Sequence, residues 1–375
     1  MSDVPSHAAE MARALASLAL LAAVSTACAP EQTIDLPPTE VVYEGDQVRL
    51  HAVADLTVCG GNGAAMDAML AYLADESGLG LLETPIDAYL LTPEQVDDVC
   101  YVGYAQVFAC AFTQDVEPFA VTSYLPTEHE LVHAYLGSKS DGGRRWAFFD
   151  EGLATVYGRD GPRTRPTTPL DEAIGYASRM PVEHYTRAAH FVAFMIDRFG
   201  PQATIGFVLA TSRARTDAEL AALFLEHFGV SLQSTMAAYE REAQACSIDG
   251  WQRIYECEQP ALEWPEFGSL RVDIGHACDA PSVLGEAGQT TNERFVIDLA
   301  ESSTTLTIHL ETSARERFPW LRIVRCGSCE EEVAVEYDTA DGPLYAYGYP
   351  PGKYVITAYH PPGDPEPAVL KLTSY

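Results

Sequence analysis

His129-Glu130-Leu131-Val132-His133 sets two imidazoles four positions apart with a carboxylate between them. On an α-helix, residues at i and i+4 stand one turn apart on one face, so this pair can grip a single Zn²⁺. Glu130 can then act as general base toward a water at the metal. Pro126-Thr127 ahead of the motif and Gly137 after it give a short helix a start and a stop. Thr127-x-x-Glu130 also reads as a capping box, in which the Glu130 carboxylate returns to the backbone. One carboxylate cannot serve both roles. A catalytic zinc takes three protein ligands and keeps a fourth position open, so two His leave it one ligand short. Glu151 follows His133 with enough chain for a turn and a second, antiparallel helix. It lies in the apolar stretch from Trp146 to Tyr157, and a buried Glu needs a partner. The competing account is an ordinary first-turn Glu favoured by the helix dipole.

The motif His129-Glu130-Leu131-Val132-His133, followed by Asp150-Glu151-Gly152-Leu153-Ala154, resembles the gluzincin metallopeptidases. The nearest branch is that of thermolysin and aminopeptidase N, in which a Glu-Gly-[aromatic or Leu]-Ala stretch supplies the third ligand. The resemblance covers residues 126–200 and implies Zn²⁺ on His129, His133 and Glu151, with Glu130 as base. In the aminopeptidase N family a Tyr at a helix start, ahead of a Gly, donates to the reaction's oxyanion. Tyr185, followed by Ala188 and Ala189 and then by Gly200, matches that pattern. Its other reading is a Tyr packing at a helix start. The Gly-x-Met-Glu-Asn stretch with which aminopeptidase N relatives hold a substrate amine is absent from this sequence, which points toward an endopeptidase. The activity expected is therefore hydrolysis of a peptide or protein substrate by an exported zinc peptidase. The rival expectation is a catalytically inactive surface protein on a zincin scaffold, with a glycan- or protein-binding β-sandwich. The intact Glu130 favours the enzyme.

The elements that must position these residues are legible in outline. Residues 28–40 form a Pro-rich tether, and residues 41–58 alternate well enough for one or two strands. A helix is expected over 62–76, with Met66, Met69, Leu70 and Leu73 on one face and Gly78 beyond its end. Ile86–Leu91 reads as a strand, and Thr92-Pro93-Glu94-Gln95 as a capping box starting a helix toward Val99. Residues 101–112 and 119–125 have strand composition. Residues 139–145 and 160–169 are loops, the second basic against an acidic chain. Asp171–Arg179 is expected as a short helix. Tyr185–Phe199, Asp217–Phe228 and Ser231–Ala245 read as longer ones, with Gly200-Pro201 as a stop. His184, His190 and His227 are expected as packed helix residues rather than ligands.

Beyond Pro260-Ala261-Leu262-Glu263-Trp264-Pro265 the helix signals vanish. Strands are expected over 295–299, 304–310, 320–325, 333–337, 353–359 and 368–373, with Leu306, Ile308 and Leu310 facing in and His309 out. Seven or eight strands in a stretch of this length suit a sandwich. Pro350-Pro351-Gly352-Lys353-Tyr354 resembles the closing turn of bacterial pre-peptidase C-terminal β-sandwich domains. The fold class expected is α+β: a zincin-like catalytic domain (small mixed sheet plus helical half) over 41–259, followed by an all-β sandwich domain over 260–375.

The chain has 375 residues and a formal net charge of −31, and Lys139, Lys353 and Lys371 are its only lysines. Such acidity argues against nucleic acid or an anionic membrane surface as a partner. Residues 1–27 read as an export signal whose apolar stretch, Leu15 to Ala27, is too short to span a bilayer. Ser25-Thr26-Ala27-Cys28 resembles a bacterial lipobox, with Cys28 as the lipidated residue. The protein is thus expected in the bacterial cell envelope or secreted. Nine Cys less Cys28 leave eight, an even set that in an exported chain reads as four disulfides, with Cys100/Cys110 and Cys246/Cys257 as the first local pairings.

Overall fold

In Val48–Ala52 (β2) and Ile86–Leu90 (β3), every second side chain is buried: Val48, Leu50 and Ala52 in one strand, Ile86, Ala88 and Leu90 in the other. That period of two gives each strand one core face and one open face. The computed structural model in which these strands are seen describes residues 34–100, 108–113, 117–140, 143–158, 168–243, 253–264, 269–299, 305–312, 320–327, 334–338, 344–347, 351–360 and 368–374. Within residues 37–375, which form one compact unit, the fold is a mixed α+β arrangement of helices and three sheets. The expected export signal, Cys28, residues 101–107 of the strand expected over 101–112, most of the 160–169 loop, Cys246 and Cys329 lie outside the described residues.

The first sheet has the order β1-β2-β3-β5-β4, with β1 at Glu40–Glu44, β4 at Ala109–Phe112 and β5 at Phe119–Thr122. Strands β2, β3 and β5 run parallel, while β1 and β4 pair antiparallel at the two edges. Helix α1 (Asn62–Ser77) buries Met66, Met69, Leu70 and Leu73, and Gly78 closes it at φ 66°. That left-handed conformation suits Gly. Helix α2 (Pro93–Val99) carries the expected capping box of Thr92 and Gln95.

Among the described residues seven helices follow: α3 (Glu128–Ser138), α4 (Ala147–Gly158), α5 (Leu170–Ile174), α6 (Tyr185–Phe199), α7 (Pro201–Ala210), α8 (Asp217–Phe228) and α9 (Leu232–Glu242). Their shared core is aromatic: Phe149 meets Phe207 edge-on at 5.0 Å, and Phe207 meets Phe224 at 5.1 Å. Gly200-Pro201 ends α6 as expected, with Gly200 at φ 86°; Pro201 also opens α7, a helix not foreseen, where a missing N–H costs nothing. One expectation needs correcting here: Gly137 lies inside α3 rather than ending it.

The C-terminal part is built from strands. One sheet runs β11-β10-β13-β8-β7 and the other β12-β9-β14-β6, with β6 at Leu270–Ile274, β7 at Val283–Leu284, β8 at Thr291–Leu299 and β9 at Thr305–Thr312. The remaining strands are β10 (Trp320–Arg325), β11 (Ala334–Asp338), β12 (Leu344–Tyr347), β13 (Gly352–His360) and β14 (Ala368–Ser374). Buried Ile297, Ile323 and Ile356 of the first sheet and Ile274, Ile308, Leu370 and Leu372 of the second form one cluster. Strands β6, β7 and β12 were not foreseen, being short or lacking a run of β-branched residues.

Three disulfides join the described residues: Cys59–Cys278, Cys100–Cys110 and Cys257–Cys326. The Cys100–Cys110 pairing is as expected. Cys257 pairs with Cys326 and not with Cys246, because the turn at Tyr255–Glu258 lies beside the ends of β10 and β13. There Lys353 Nζ donates to the Cys257 carbonyl, and the Cys326 amide donates to Lys353. Disulfides belong to oxidising compartments and so to an exported chain. Among the described residues no helix is long and apolar enough to cross a membrane.

Candidate metal centre

Helix α3 presents His129 and His133 on one face, as their spacing predicts, and both are buried. Thr127 makes no side-chain cap hydrogen bond, so the alternative role for Glu130 in a capping box is not formed. Helix α4 packs against α3 at very close range. A Cβ on Gly158 would stand 2.4 Å from the His129 Cα, so only Gly allows this approach. Farther along α4, a Cβ on Gly152 would meet the Ala188 backbone of α6 at 2.8 Å. The Gly next to Glu151 therefore lets α6, which carries Tyr185, lie directly against the metal-site helix.

These contacts bring Glu151 to the two imidazoles. His129 Nε2 and His133 Nε2 are 3.2 Å apart, and each is 3.2 Å from Glu151 Oε2. A tetrahedral zinc with ligands at about 2.0–2.1 Å requires its donor atoms to be roughly 3.3–3.4 Å apart. The three donors form such a face. His133 Nδ1 points at Asp150 Oδ2, 3.2 Å away, which directs its Nε2 lone pair inward. Three lone-pair atoms converging this closely repel one another unless positive charge lies among them. The donor set fits a metal ion, and the group His129, His133 and Glu151 could hold one.

The surrounding electrostatics agree. Burial alone would push Glu151 up, but His133 and His129 hold its carboxyl at about 2. Burial would likewise raise Asp150, yet Arg145 and His133 keep it well below the ordinary range. His129 and His133 are raised despite burial, by Glu151 and Glu130 at the first and by Asp150 and Glu151 at the second. The pocket stabilises positive charge. Glu130 is half-buried beside the trio, and its pKa is raised, first by burial and then by Glu151 and Asp150 against the opposing pull of the two His. A carboxylate raised in this way is suited to accepting a proton near neutral pH.

Tyr185 starts α6, with its ring stacked on His129 at 5.8 Å and 2° between planes. Burial, then Glu151, raises its pKa, so it remains a proton donor. All five expected site residues thus lie together. His184, His190 and His227 do not join them, as expected. His184 bonds Thr168 and Tyr176, His190 bonds Tyr239, and His227 bonds the Ala203 carbonyl.

Sequence reasoning gave no role to Asp150 or Arg145. Arg145 Nε donates to Asp150 Oδ1 at 2.6 Å, and its Nη2 reaches the His133 carbonyl at 3.3 Å. It locks the carboxylate that orients His133. The available signal was Asp150 itself, an acid beside a ligand in an otherwise apolar stretch.

No protein-family model matches the chain, and a search of curated proteins finds no match. Among solved structures, a periplasmic inhibitor of g-type lysozyme from Aeromonas hydrophila is 14% identical with a TM-score of 0.23, covering 31% of this chain and 94% of that one. Aminopeptidase A from Legionella pneumophila, in complex with aspartic acid, is 10% identical with a TM-score of 0.31. That match covers 88% of this chain, which spans only 36% of the aminopeptidase. Likenesses this weak carry no argument about what this chain does.

Proposed function

We propose that this chain is an exported zinc-dependent peptidase of gluzincin type. In this reading the first sheet and helices α1–α9 make up a zincin-like catalytic part, followed by a β-sandwich. The observation that carries the proposal is the triangle of His129 Nε2, His133 Nε2 and Glu151 Oε2 with sides of 3.2 Å, beside the half-buried Glu130. Zinc, when bound there, supplies a Lewis acid for the scissile carbonyl and lowers the pKa of water. Glu130 takes the proton from the attacking water and passes it to the leaving amine nitrogen. Tyr185 donates its hydroxyl proton in a hydrogen bond to the oxygen that becomes negative when the carbonyl carbon turns tetrahedral. Asp150, held by Arg145, keeps the His133 ring in the tautomer that leaves Nε2 free to ligate. The absence of the Gly-x-Met-Glu-Asn stretch supports endopeptidase rather than aminopeptidase action.

The test is hydrolysis of an unstructured protein substrate by the zinc-loaded chain. Glu130→Gln is expected to keep its zinc and lose hydrolysis, since only the base is removed. Tyr185→Phe is expected to keep its zinc and its fold while kcat falls roughly 10²-fold, the usual cost of one oxyanion donor. Normal turnover in Glu130→Gln would refute the mechanism, and undiminished kcat in Tyr185→Phe would remove Tyr185 from it. The lipobox-like Ser25-Thr26-Ala27-Cys28 supports anchoring through a lipid on Cys28. Cys28→Ser should then move the protein from membranes to the soluble fraction, and a soluble wild type with an unmodified Cys28 would refute the anchor.

A further inference from the structure

Glu128 immediately precedes the first metal-site His and is 2% exposed, although an acid at a helix start ordinarily faces water. Its partner comes from far along the chain. Arg294 Nη1, on β8, donates to Glu128 Oε1 at 2.9 Å and to Glu256 Oε1 at 3.0 Å, while Arg294 Nε donates to Asn292 Oδ1 at 3.2 Å. One guanidinium thus sits between two buried carboxylates that would repel each other without it. We propose that Arg294 is a positioning residue for the metal centre: through Glu128 it holds the first turn of α3, and so His129, in ligating position. This rests on the metal reading proposed above.

Three further observations carry it. The first turn of α3 has no cap hydrogen bond from Thr127, so its position must be set from outside. One constraint is α4 at Gly158, which contacts the His129 backbone; Arg294 grips the same turn through Glu128. Strand β8 is itself fixed to the rest of the molecule. The disulfides Cys59–Cys278 and Cys257–Cys326 bind the C-terminal sheets to it. The Cys59, Gly60 and Gly61 amides bond carbonyls of Gly285, Cys278 and Val283, and Asn62 exchanges two hydrogen bonds with Gly285. A Cβ on Gly60 or Gly61 would meet backbone there at 2.8 Å, so this junction is made at backbone contact. Arg294 therefore bears on α3 from a rigid base, and the C-terminal sheets become part of the metal centre rather than an accessory.

The test is zinc affinity of the full chain, stripped of metal and titrated against a competing chromogenic chelator, with the melting temperature of each metal-free protein measured alongside. Arg294→Met and Glu128→Gln should each raise the zinc dissociation constant about tenfold or more, in the range of lost outer-shell support. The double variant should be no weaker than the worse single one, because both remove one contact. Ile356→Val, which loosens the core between the C-terminal sheets, should lower the melting temperature and leave zinc affinity within about twofold. Should Arg294→Met not fold, Glu128→Gln still decides, since it leaves the Arg294–Glu256 pair in place, with Arg294→Lys as the charge-conserving rescue. Wild-type affinity in the folded single variants, or additive losses in the double variant, would overturn the positioning role alone. A wild-type chain that takes up no zinc would overturn the metal reading and this inference with it.

Discussion

At the scale of single residues, the candidate metal ligands differ in how they are supported. His133 is oriented by Asp150, and Asp150 by Arg145, whereas His129 Nδ1 is buried without a hydrogen-bond partner among the described residues. The geometry of the site therefore depends on Asp150 more than its lack of direct ligation suggests. Asp150→Asn, which keeps the shape and removes the charge, should retain zinc but bind it about 10–100-fold more weakly by chelator competition. Unchanged affinity would mean that packing alone orients His133. His129 and His133, with Glu130 between them, were legible in the sequence because a four-residue helical spacing forces two side chains onto one face. Glu151 was reached instead through the resemblance to gluzincins and its apolar surroundings. Asp150 was not legible, because its role depends on His133 in another helix, and no periodicity relates the two. Arg145 was read as part of a polar loop, yet it is buried against that carboxylate.

At the scale of elements, close approach governs the site. Helix α4 can bring Glu151 to the histidines because Gly158 lets it lie on the α3 backbone, and α6 can bring Tyr185 because of Gly152. Gly158→Ala should thus push His129 away, lowering both the melting temperature and the zinc content. Gly206→Ala in α7 is the matched control. There an added Cβ meets nothing nearer than 3.6 Å, and Ala in a helix interior should stabilise by about 0.5–1 kcal/mol. Equal effects of the two substitutions would show that helix propensity, not close approach, matters at 158. The strong helices and the alternating strands β2 and β3 were readable from their apolar periods. Gly200-Pro201 was read correctly as the end of α6, but α7 was missed because the same dipeptide also starts the next helix. Cys257 was misassigned because a nearby Cys in sequence is a weaker guide than the strand ends it lies against.

At the scale of the whole molecule, polar contacts far apart in sequence tie the parts together, and these were the least legible. Arg294 with Glu128 and Glu256 is one such contact, and Glu293 is another. Burial would raise the Glu293 pKa, but His360, with its Nε2 3.5 Å from the carboxylate, and hydrogen bonds from His276 and from the Gly275 and His276 amides hold it below the ordinary value. A carboxyl lowered on folding contributes stability that is full above its unfolded pKa, about 4.3, and is lost as pH falls through the folded value. The melting temperature of wild type should therefore exceed that of Glu293→Gln near neutral pH, with the gap closing below about pH 4. A gap that does not change with pH would assign the effect to packing. The central claim is that His129, His133 and Glu151 hold one zinc ion, and it is tested most directly by counting zinc. Wild type stripped with chelator, reloaded and desalted should carry one equivalent by elemental analysis, while Glu151→Ala, still folded, should carry well under one. A wild type without stoichiometric zinc, or a full equivalent retained in Glu151→Ala, would contradict it.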